Sequence, residues 1–243
     1  MNGQEIEVKF YVNDLKRVEA RLLELGAALI QPRVHESNVR FDLPDGSLRA
    51  GSRVLRLRRA EDVRLTYKGK GQSIHGVLAR DEIEFTVGDF ETARQFLEAL
   101  GYAQIAVYEK FRATYEMQTS EVSDPKGALR RDFGSLVHIM LDELPYGEFV
   151  EIEGPGVDSI RLAATRLGLD WEAAVDAGYL TLFKRFCAGA SILRQAQDNA
   201  SLNTGASTSL STGRQLDPAK LTFAALTDFT PSPEMLGVRP ADA

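Results

Sequence analysis

The chain has 243 residues, a formal net charge of −6 and a hydrophobic fraction of 44%, an ordinary composition for one soluble domain with a substantial core. The surplus of acids argues against general nucleic-acid binding, because phosphate backbones are bound by an excess of Lys and Arg. The sequence has no apolar stretch of membrane-spanning length, no evident signal peptide and a single cysteine, Cys187, so we expect a cytoplasmic protein without membrane contact, internal disulfide or multi-cysteine zinc site.

The first predicted element is a strand with charged residues at alternate positions. Glu5, Glu7 and Lys9 are separated by apolar residues. Residues two apart in a strand share one face, so the three charged side chains point together and the apolar ones point the other way. Alone, this pattern is also typical of an amphipathic edge strand with a solvated face. A helix is predicted next, from the capping residue Asp14 to Gly26.

The same alternation recurs further along the chain. A second helix is predicted between Asp89 and Gly101, a mobile insertion at 118–135, helices within about 155–178, and a mostly disordered, low-complexity tail at 189–243. In the strand segments between them, the charged residues that share one face are Arg56 with Arg58, Lys68 alone, Glu82 with Glu84, Lys110 with Arg112, and Glu151 with Glu153. Most of these strand faces carry one sign of charge, whereas a solvated face usually mixes signs with Ser and Thr. This pattern indicates strands that line an interior.

Antiparallel strands with converging charged faces would form a closed barrel with a polar lumen. Charges held away from water are costly unless they are paired or bind a ligand. Clustered bases beside clustered acids therefore predict two ligands, a polyphosphate bound by Arg and Lys and a divalent cation bound by carboxylates.

The motif Glu5-x-Glu7-x-Lys9 resembles the signature of the CYTH, or triphosphate tunnel metalloenzyme, superfamily. The resemblance continues in order through Leu55-Arg56-Leu57-Arg58, Thr66-Tyr67-Lys68-Gly69, Glu82-x-Glu84, Glu109-Lys110-x-Arg112, Leu141-Asp142-Glu143, Phe149-Val150-Glu151-Ile152-Glu153 and Gly178-Tyr179-Leu180. It implies an α+β fold, a closed antiparallel eight-stranded β-barrel with flanking helices, formed by a tunnel domain at 1–188.

The resemblance also implies roles for the charged residues. The predicted phosphate-binding residues are Lys9, Arg56, Arg58, Lys68, Arg112 and Lys184. The predicted ligands of Mg²⁺ or Mn²⁺ are Glu5, Glu7, Glu82, Glu84, Asp142, Glu151 and Glu153. Lys110 is the predicted general base, with structural pairing to an interior acid as the alternative. Trp171 and Tyr179 are predicted to be core residues.

Three functions fit this pattern. The favoured one is hydrolysis of a small triphosphate, which is inorganic triphosphate, thiamine triphosphate or ATP. The first alternative is a class IV adenylate cyclase that converts ATP to cyclic AMP and pyrophosphate. The second is a polyphosphate-binding sensor without turnover, against which the acidic residues argue, since they would weaken anion binding unless a metal joined them.

Overall fold

A computed structural model of the protein describes residues 3–74, 77–119, 135–189, 216–217, 219–226 and 231–242. The strands are β1 (Gly3–Val12), β2 (Ala28–Asp42), β3 (Val54–Arg59), β4 (Val63–Lys68), β5 (Gln72–Ile74), β6 (Val77–Val87), β7 (Ala103–Thr119), β8 (Ser135–Leu144), β9 (Gly147–Glu153) and β10 (Lys220–Leu221). The helices are α1 (Leu15–Glu24), α2 (Ser47–Ala50), α3 (Phe90–Ala99), α4 (Val157–Leu167), α5 (179–189), α6 (Phe223–Leu226) and α7 (Pro233–Leu236), with a 3-10 turn at Trp171–Ala173.

Eight strands form a closed ring in the order β1, β9, β8, β7, β2, β3, β4, β6, and β6 pairs with β1 to complete it. Every pairing in the ring is antiparallel. The short strand β5 pairs with β6, and β10 runs parallel to β7 outside the ring. The closed antiparallel fold with flanking helices, predicted from the sequence, is confirmed.

The alternation within each strand separates an apolar outer layer from a charged interior. On β1, the side chains of Val8, Phe10 and Val12 are buried in a core that also contains residues of α1 and α4. Leu15, Val18 and Leu22 of α1 complete this core, so the helix covers the outside of the ring. Because apolar residues face outward, the charged residues between them point into the ring.

Two helices begin where the sequence predicts. The Asp14 carboxylate accepts hydrogen bonds from the backbone N–H groups of Lys16 and Arg17, and this cap starts α1. Asp89 accepts from the N–H of Thr92 and starts α3. These caps satisfy backbone donors that a helix cannot pair internally.

The described parts of the C-terminal tail pack against the barrel, in contrast to the predicted disorder. Leu221, Leu226 and Leu236 are buried in one apolar cluster with α5. The Asp242 carboxylate accepts from the backbone N–H of Asn13 at 2.9 Å, next to the start of α1. The sequence signal was weak because these contacts are not local, and the one between Asn13 and Asp242 joins residues 229 positions apart.

The predicted insertion at 118–135 lies mostly outside the described residues. Of its ends, Gln118 and Thr119 belong to β7 and Ser135 begins β8. None of the helices in the described ranges is long and apolar enough to cross a membrane.

Gly147 at the start of β9 has a conformation that requires glycine. Its φ is 151°, and a Cβ atom there would lie 2.7 Å from Cε2 of Tyr11. We expect Gly147→Ala to lower the free energy of unfolding by about 2 kcal/mol, because it adds backbone strain and overpacks the Tyr11 ring. Urea denaturation measures this change. Gly88→Ala is the matched control, since nothing lies within 4 Å of the added Cβ; an equal effect of both substitutions would contradict the argument.

Candidate active site

The interior of the ring is a charged cavity of about 1000 Å³. Among the described residues, twelve Lys or Arg side chains and seven Asp or Glu side chains line it. The lining strands alternate, so each contributes its charged face and keeps its apolar face in the outer core. A concave site with this density of charge is suited to a small, highly charged ligand.

The first strand delivers its three charged residues to the interior, as predicted. Glu5, Glu7 and Lys9 line the cavity and are 8%, 6% and 7% exposed. Lys9 lies opposite Glu151 of β9, and its Nζ is 3.8 Å from Glu151 Oε2. Its ammonium also lies 4.4 Å from the ring centroid of Tyr179 on α5.

The basic side of the cavity is built on β3. Arg56 donates to Oγ1 of Thr66 at 3.2 Å, and its Nη2 is 3.4 Å from Glu84 Oε2. Arg58 is 3.5 Å from Glu36 Oε1 and 3.5 Å from Glu84 Oε1. The neighbouring cations outweigh the effect of burial and lower the pKa of Glu36 to about 2.

Asp142 holds together three groups on one side of the cavity. It is fully buried, and its carboxylate accepts from Arg112 Nε at 2.6 Å, Lys110 Nζ at 3.1 Å and the Tyr179 hydroxyl at 2.6 Å. Arg112 also reaches Glu151 Oε2 at 2.8 Å. Asp142 therefore fixes the positions of cations that line the cavity without lining it itself.

A second network joins the acids of β1 and β6. Lys68 contacts Oε1 of Glu5 and lies 3.1 Å from Glu82 Oε2. Arg80 donates to Glu5 Oε2 at 2.9 Å and to Glu7 Oε1 at 2.8 Å. Burial raises the pKa of Glu5, but Lys68 and Arg80 outweigh it and lower the value to about 2.

Two carboxyl groups at the same side of the cavity are disfavoured in their charged form. Burial and the carboxylate of Glu151 raise the pKa of Glu7 to about 8. Burial, Glu5 and Glu151 raise the pKa of Glu153 to about 7. Acids that repel one another in this way favour a proton or a cation between them.

The structure brings nearly all of the predicted site residues into one cavity. The lining includes Glu5, Glu7, Lys9, Arg56, Arg58, Lys68, Glu82, Glu84, Lys110, Arg112, Glu151, Glu153 and Lys184. Asp142, a predicted metal ligand, does not line the cavity and instead accepts hydrogen bonds from Arg112. Glu84 lines the cavity, but its carboxylate is held by Arg64 and Thr66.

The surroundings of Lys110 differ from those assumed for a general base. Its side chain is 2% exposed, and Nζ lies 3.1 Å from Asp142 Oδ2 and 3.5 Å from Glu36 Oε2. Two carboxylates therefore contact the ammonium directly. The pairing named as the alternative is therefore observed, and the role of general base stays a prediction.

Sequence reasoning missed several interior residues. Arg80 shares a strand face with Glu82 and Glu84, so the alternation that found the acids also marked the arginine. Arg40 and Glu36 share the inward face of β2 in the same way. Tyr179, predicted to be a core residue, packs on Phe149 at 5.3 Å between ring centroids and also binds Asp142 through its hydroxyl.

The acidic group fits a divalent cation in its chemistry. Carboxylate oxygens are the donors that Mg²⁺ and Mn²⁺ prefer, and burial with neighbouring acids raises the pKa of Glu7 and Glu153, an effect that a bound cation would offset. In the parts of the chain that are described, no group of three or more His, Cys, Asp or Glu side chains is arranged so that it could hold a metal ion. Arg80 instead donates to one oxygen each of Glu5 and Glu7.

A sequence profile of the CYTH domain matches residues 3–166. The chain belongs to the CYTH domain family. The match covers all eight strands of the ring, and hence most of the residues that line the cavity.

Named relatives agree with this membership. A protein of Methanocaldococcus jannaschii, described as a candidate adenylate cyclase, is 30% identical over 120 residues, which are 49% of this chain and 67% of the relative. A solved structure of a Pyrococcus horikoshii protein matches with a TM-score of 0.54 and 26% identity, covering 72% of this chain and 96% of that protein. A candidate adenylate cyclase of Vibrio parahaemolyticus matches with a TM-score of 0.58 and 19% identity over 74% and 97% of the two chains, which shows the same fold.

Proposed function

We propose that this CYTH protein is a divalent-metal-dependent triphosphatase that hydrolyses a small inorganic or organic triphosphate inside the ring. The observation that carries the proposal is the cavity of about 1000 Å³ inside the ring, in which buried cations and a group of mutually repelling acids face each other. The cations suit the phosphates and the acids suit a metal, so both parts of a metal–triphosphate complex have matching groups.

The phosphate groups would be held by side chains on several strands. Lys9, Arg56, Arg58, Lys68 and Arg112 project from β1, β3, β4 and β7, and Lys184 of α5 lines the same cavity. Fixed cations stabilise charge that shifts between phosphate oxygens during phosphoryl transfer better than water does, because they need no reorganisation. The ion pairs among interior residues hold these cations in place before the substrate binds.

Glu5, Glu7, Glu151 and Glu153 would hold Mg²⁺ or Mn²⁺, with Glu82 beside them. A bound divalent cation supplies Lewis-acid polarisation and neutralises phosphate charge. Arg80 would exchange its contacts with Glu5 and Glu7 when these acids bind the cation. Lys110 is the proposed proton acceptor, in which role it would act from its buried position beside Asp142.

The second candidate function is cyclisation of ATP. It is favoured by the relative from Methanocaldococcus jannaschii, which is described as a candidate adenylate cyclase. Cyclisation needs the ribose 3′-hydroxyl in line with the α-phosphate and a site for adenine, whereas hydrolysis needs only a positioned water molecule. The charged lining of the cavity provides for the phosphate groups and the metal, which both reactions require.

A product assay separates the two reactions. The purified protein is incubated with Mg²⁺ or Mn²⁺ and, separately, with inorganic triphosphate, thiamine triphosphate and ATP, and phosphate, pyrophosphate and cyclic AMP are measured. We expect phosphate release from at least one triphosphate, loss of release in EDTA, and a decrease of about 100-fold or more in Lys9→Ala, because the variant removes a cation that is buried beside the substrate. Lys16→Ala on the exposed side of α1 is the matched control.

Pyrophosphate with an equal amount of cyclic AMP would replace the proposal by the cyclase. Tight metal-dependent binding without any product would replace it by a polyphosphate sensor. Turnover that persists in EDTA would contradict the metal requirement.

A further inference from the structure

Arginine residues without acidic partners are concentrated where β2 connects to β3. Arg40 lies near the end of β2, Arg49 belongs to α2, and Arg53 precedes β3; all three line the cavity. In the described part of the chain, none of the three forms an ion pair with a carboxylate, and Arg53 donates to the backbone oxygen of Ser47. This end of the cavity therefore carries positive charge that no carboxylate in the described ranges pairs with.

Arg40 shows the imbalance most directly. It lies opposite Arg56 in the pairing of β2 with β3, an arrangement in which like charges repel. The Nε atoms of Arg40 and Arg56 are both buried and have no hydrogen-bond partner. Buried polar groups are almost always satisfied by the protein, water or a ligand, so unpaired donors on two side chains that line the cavity point to an anion.

The electrostatics of Arg40 agree with its geometry. Burial and the nearby cations Arg56 and Arg80 lower the pKa of Arg40. Tyr108 and Asp42 act in the opposite direction. Neither neutralises the guanidinium by direct contact.

Two acids in the connection between β2 and β3 bind its backbone instead. Asp42 is 1% exposed, and its carboxylate accepts from the backbone N–H groups of Leu48 at 2.9 Å and Arg49 at 3.2 Å. Asp45 accepts from the N–H of Ser47 at 2.9 Å. Both acids thus fix the backbone that presents Arg49 and Arg53, and leave the guanidinium groups available.

We propose that Arg40, Arg49 and Arg53 form a subsite for a phosphoryl group beyond the third, so that the enzyme favours linear tetraphosphate and longer polyphosphates over triphosphate. The inference rests on the proposed function. Each added phosphoryl group brings negative charge and acceptor oxygens, and guanidinium groups bind such oxygens in bidentate geometry. The cavity of about 1000 Å³ is at the upper end of the range for small-ligand pockets, which leaves room beyond three phosphates.

The test compares inorganic tetraphosphate with inorganic triphosphate, both by calorimetric binding without metal and by turnover with Mg²⁺. We expect the wild-type protein to bind tetraphosphate about tenfold more tightly or better, with the same preference in kcat/KM. In the double variant Arg49→Ala/Arg53→Ala the ratio of the two affinities falls to about one. The control Arg59→Ala/Arg94→Ala removes the same charge outside the cavity lining and keeps the ratio.

Arg40→Met is the second test of the subsite. It removes a guanidinium that repels Arg56, so we expect an unchanged or higher Tm together with a reduced preference for tetraphosphate. This combination separates a role in ligand binding from a structural role.

Other outcomes overturn the subsite. Equal wild-type affinities for the two polyphosphates would remove it and leave the triphosphatase proposal standing. If the double variant loses affinity for both ligands by the same factor, the arginines contribute general electrostatic attraction only. Loss of ATP turnover in the double variant, with turnover of both inorganic polyphosphates unchanged, would show that the arginines bind the nucleoside. Absence of binding and turnover with either polyphosphate would overturn the subsite and the inorganic triphosphatase activity together.

Discussion

Arg58→Ala is expected to lower kcat/KM for the triphosphate substrate by about 10²- to 10³-fold. The Arg58 side chain is 15% exposed inside the cavity, where a fixed cation acts on phosphate charge with little screening by water. Steady-state kinetics with the substrate that the product assay identifies measures the effect. A similar fall in kcat and kcat/KM would indicate a contact made in the transition state.

The adjacent residue provides the control. Arg59 carries the same charge on the outer face of β3, where its side chain is 53% exposed and its guanidinium lies 4.1 Å from the ring centroid of Phe90. Arg59→Ala should leave kcat/KM within about twofold, because an exposed charge is screened by water and salt. Equal losses in both variants, with Tm unchanged, would contradict a specific role for Arg58.

Asp142→Asn is expected to lower the free energy of unfolding by about 3 kcal/mol. The carboxylate is fully buried and contacts Lys110, Arg112 and the hydroxyl of Tyr179. Removing its charge leaves buried cations without their main partner, which is costly even though the side chain keeps its shape. Urea denaturation measures the change, and substrate affinity should also fall because Arg112 loses its fixed position.

Glu143→Gln is the control on the next residue. Glu143 pairs with Arg33 through two hydrogen bonds of 2.6 and 2.7 Å, but both side chains are well exposed. Exposed ion pairs contribute less than about 1 kcal/mol, so the change in unfolding free energy should be small. If Asp142→Asn lowers the free energy of unfolding no more than Glu143→Gln does, other interior acids compensate the charges of Lys110 and Arg112.

The closed ring was predictable because its signal is local. Glu5, Glu7 and Lys9 alternate with apolar residues, and strand geometry alone then assigns the charged face. The same argument placed Arg56 with Arg58 and Glu151 with Glu153 in the interior. Asp14 and Asp89 marked helix starts because a capping side chain bonds to backbone groups two or three residues away.

The C-terminal segment was not predictable in the same way. Its polar, small-residue composition indicated disorder, yet Leu221 and Leu236 are buried and Asp242 binds the backbone at the start of α1. A few apolar residues are enough when a preformed surface receives them, and a composition argument does not include that surface. The segment 190–215 lies outside the described residues.

The sequence by itself determined which faces are charged, which strands are basic or acidic, and the family to which the chain belongs. The tertiary structure decided which charges meet: Lys110 with Asp142, Arg80 with Glu5 and Glu7, and Arg40 with none of the acids that the structure describes. The physical reason is the distance along the chain over which each effect acts. Alternation within a strand depends on neighbours in the chain, whereas ion pairs, pKa values and unpaired donors depend on strand register and on distances across the closed ring.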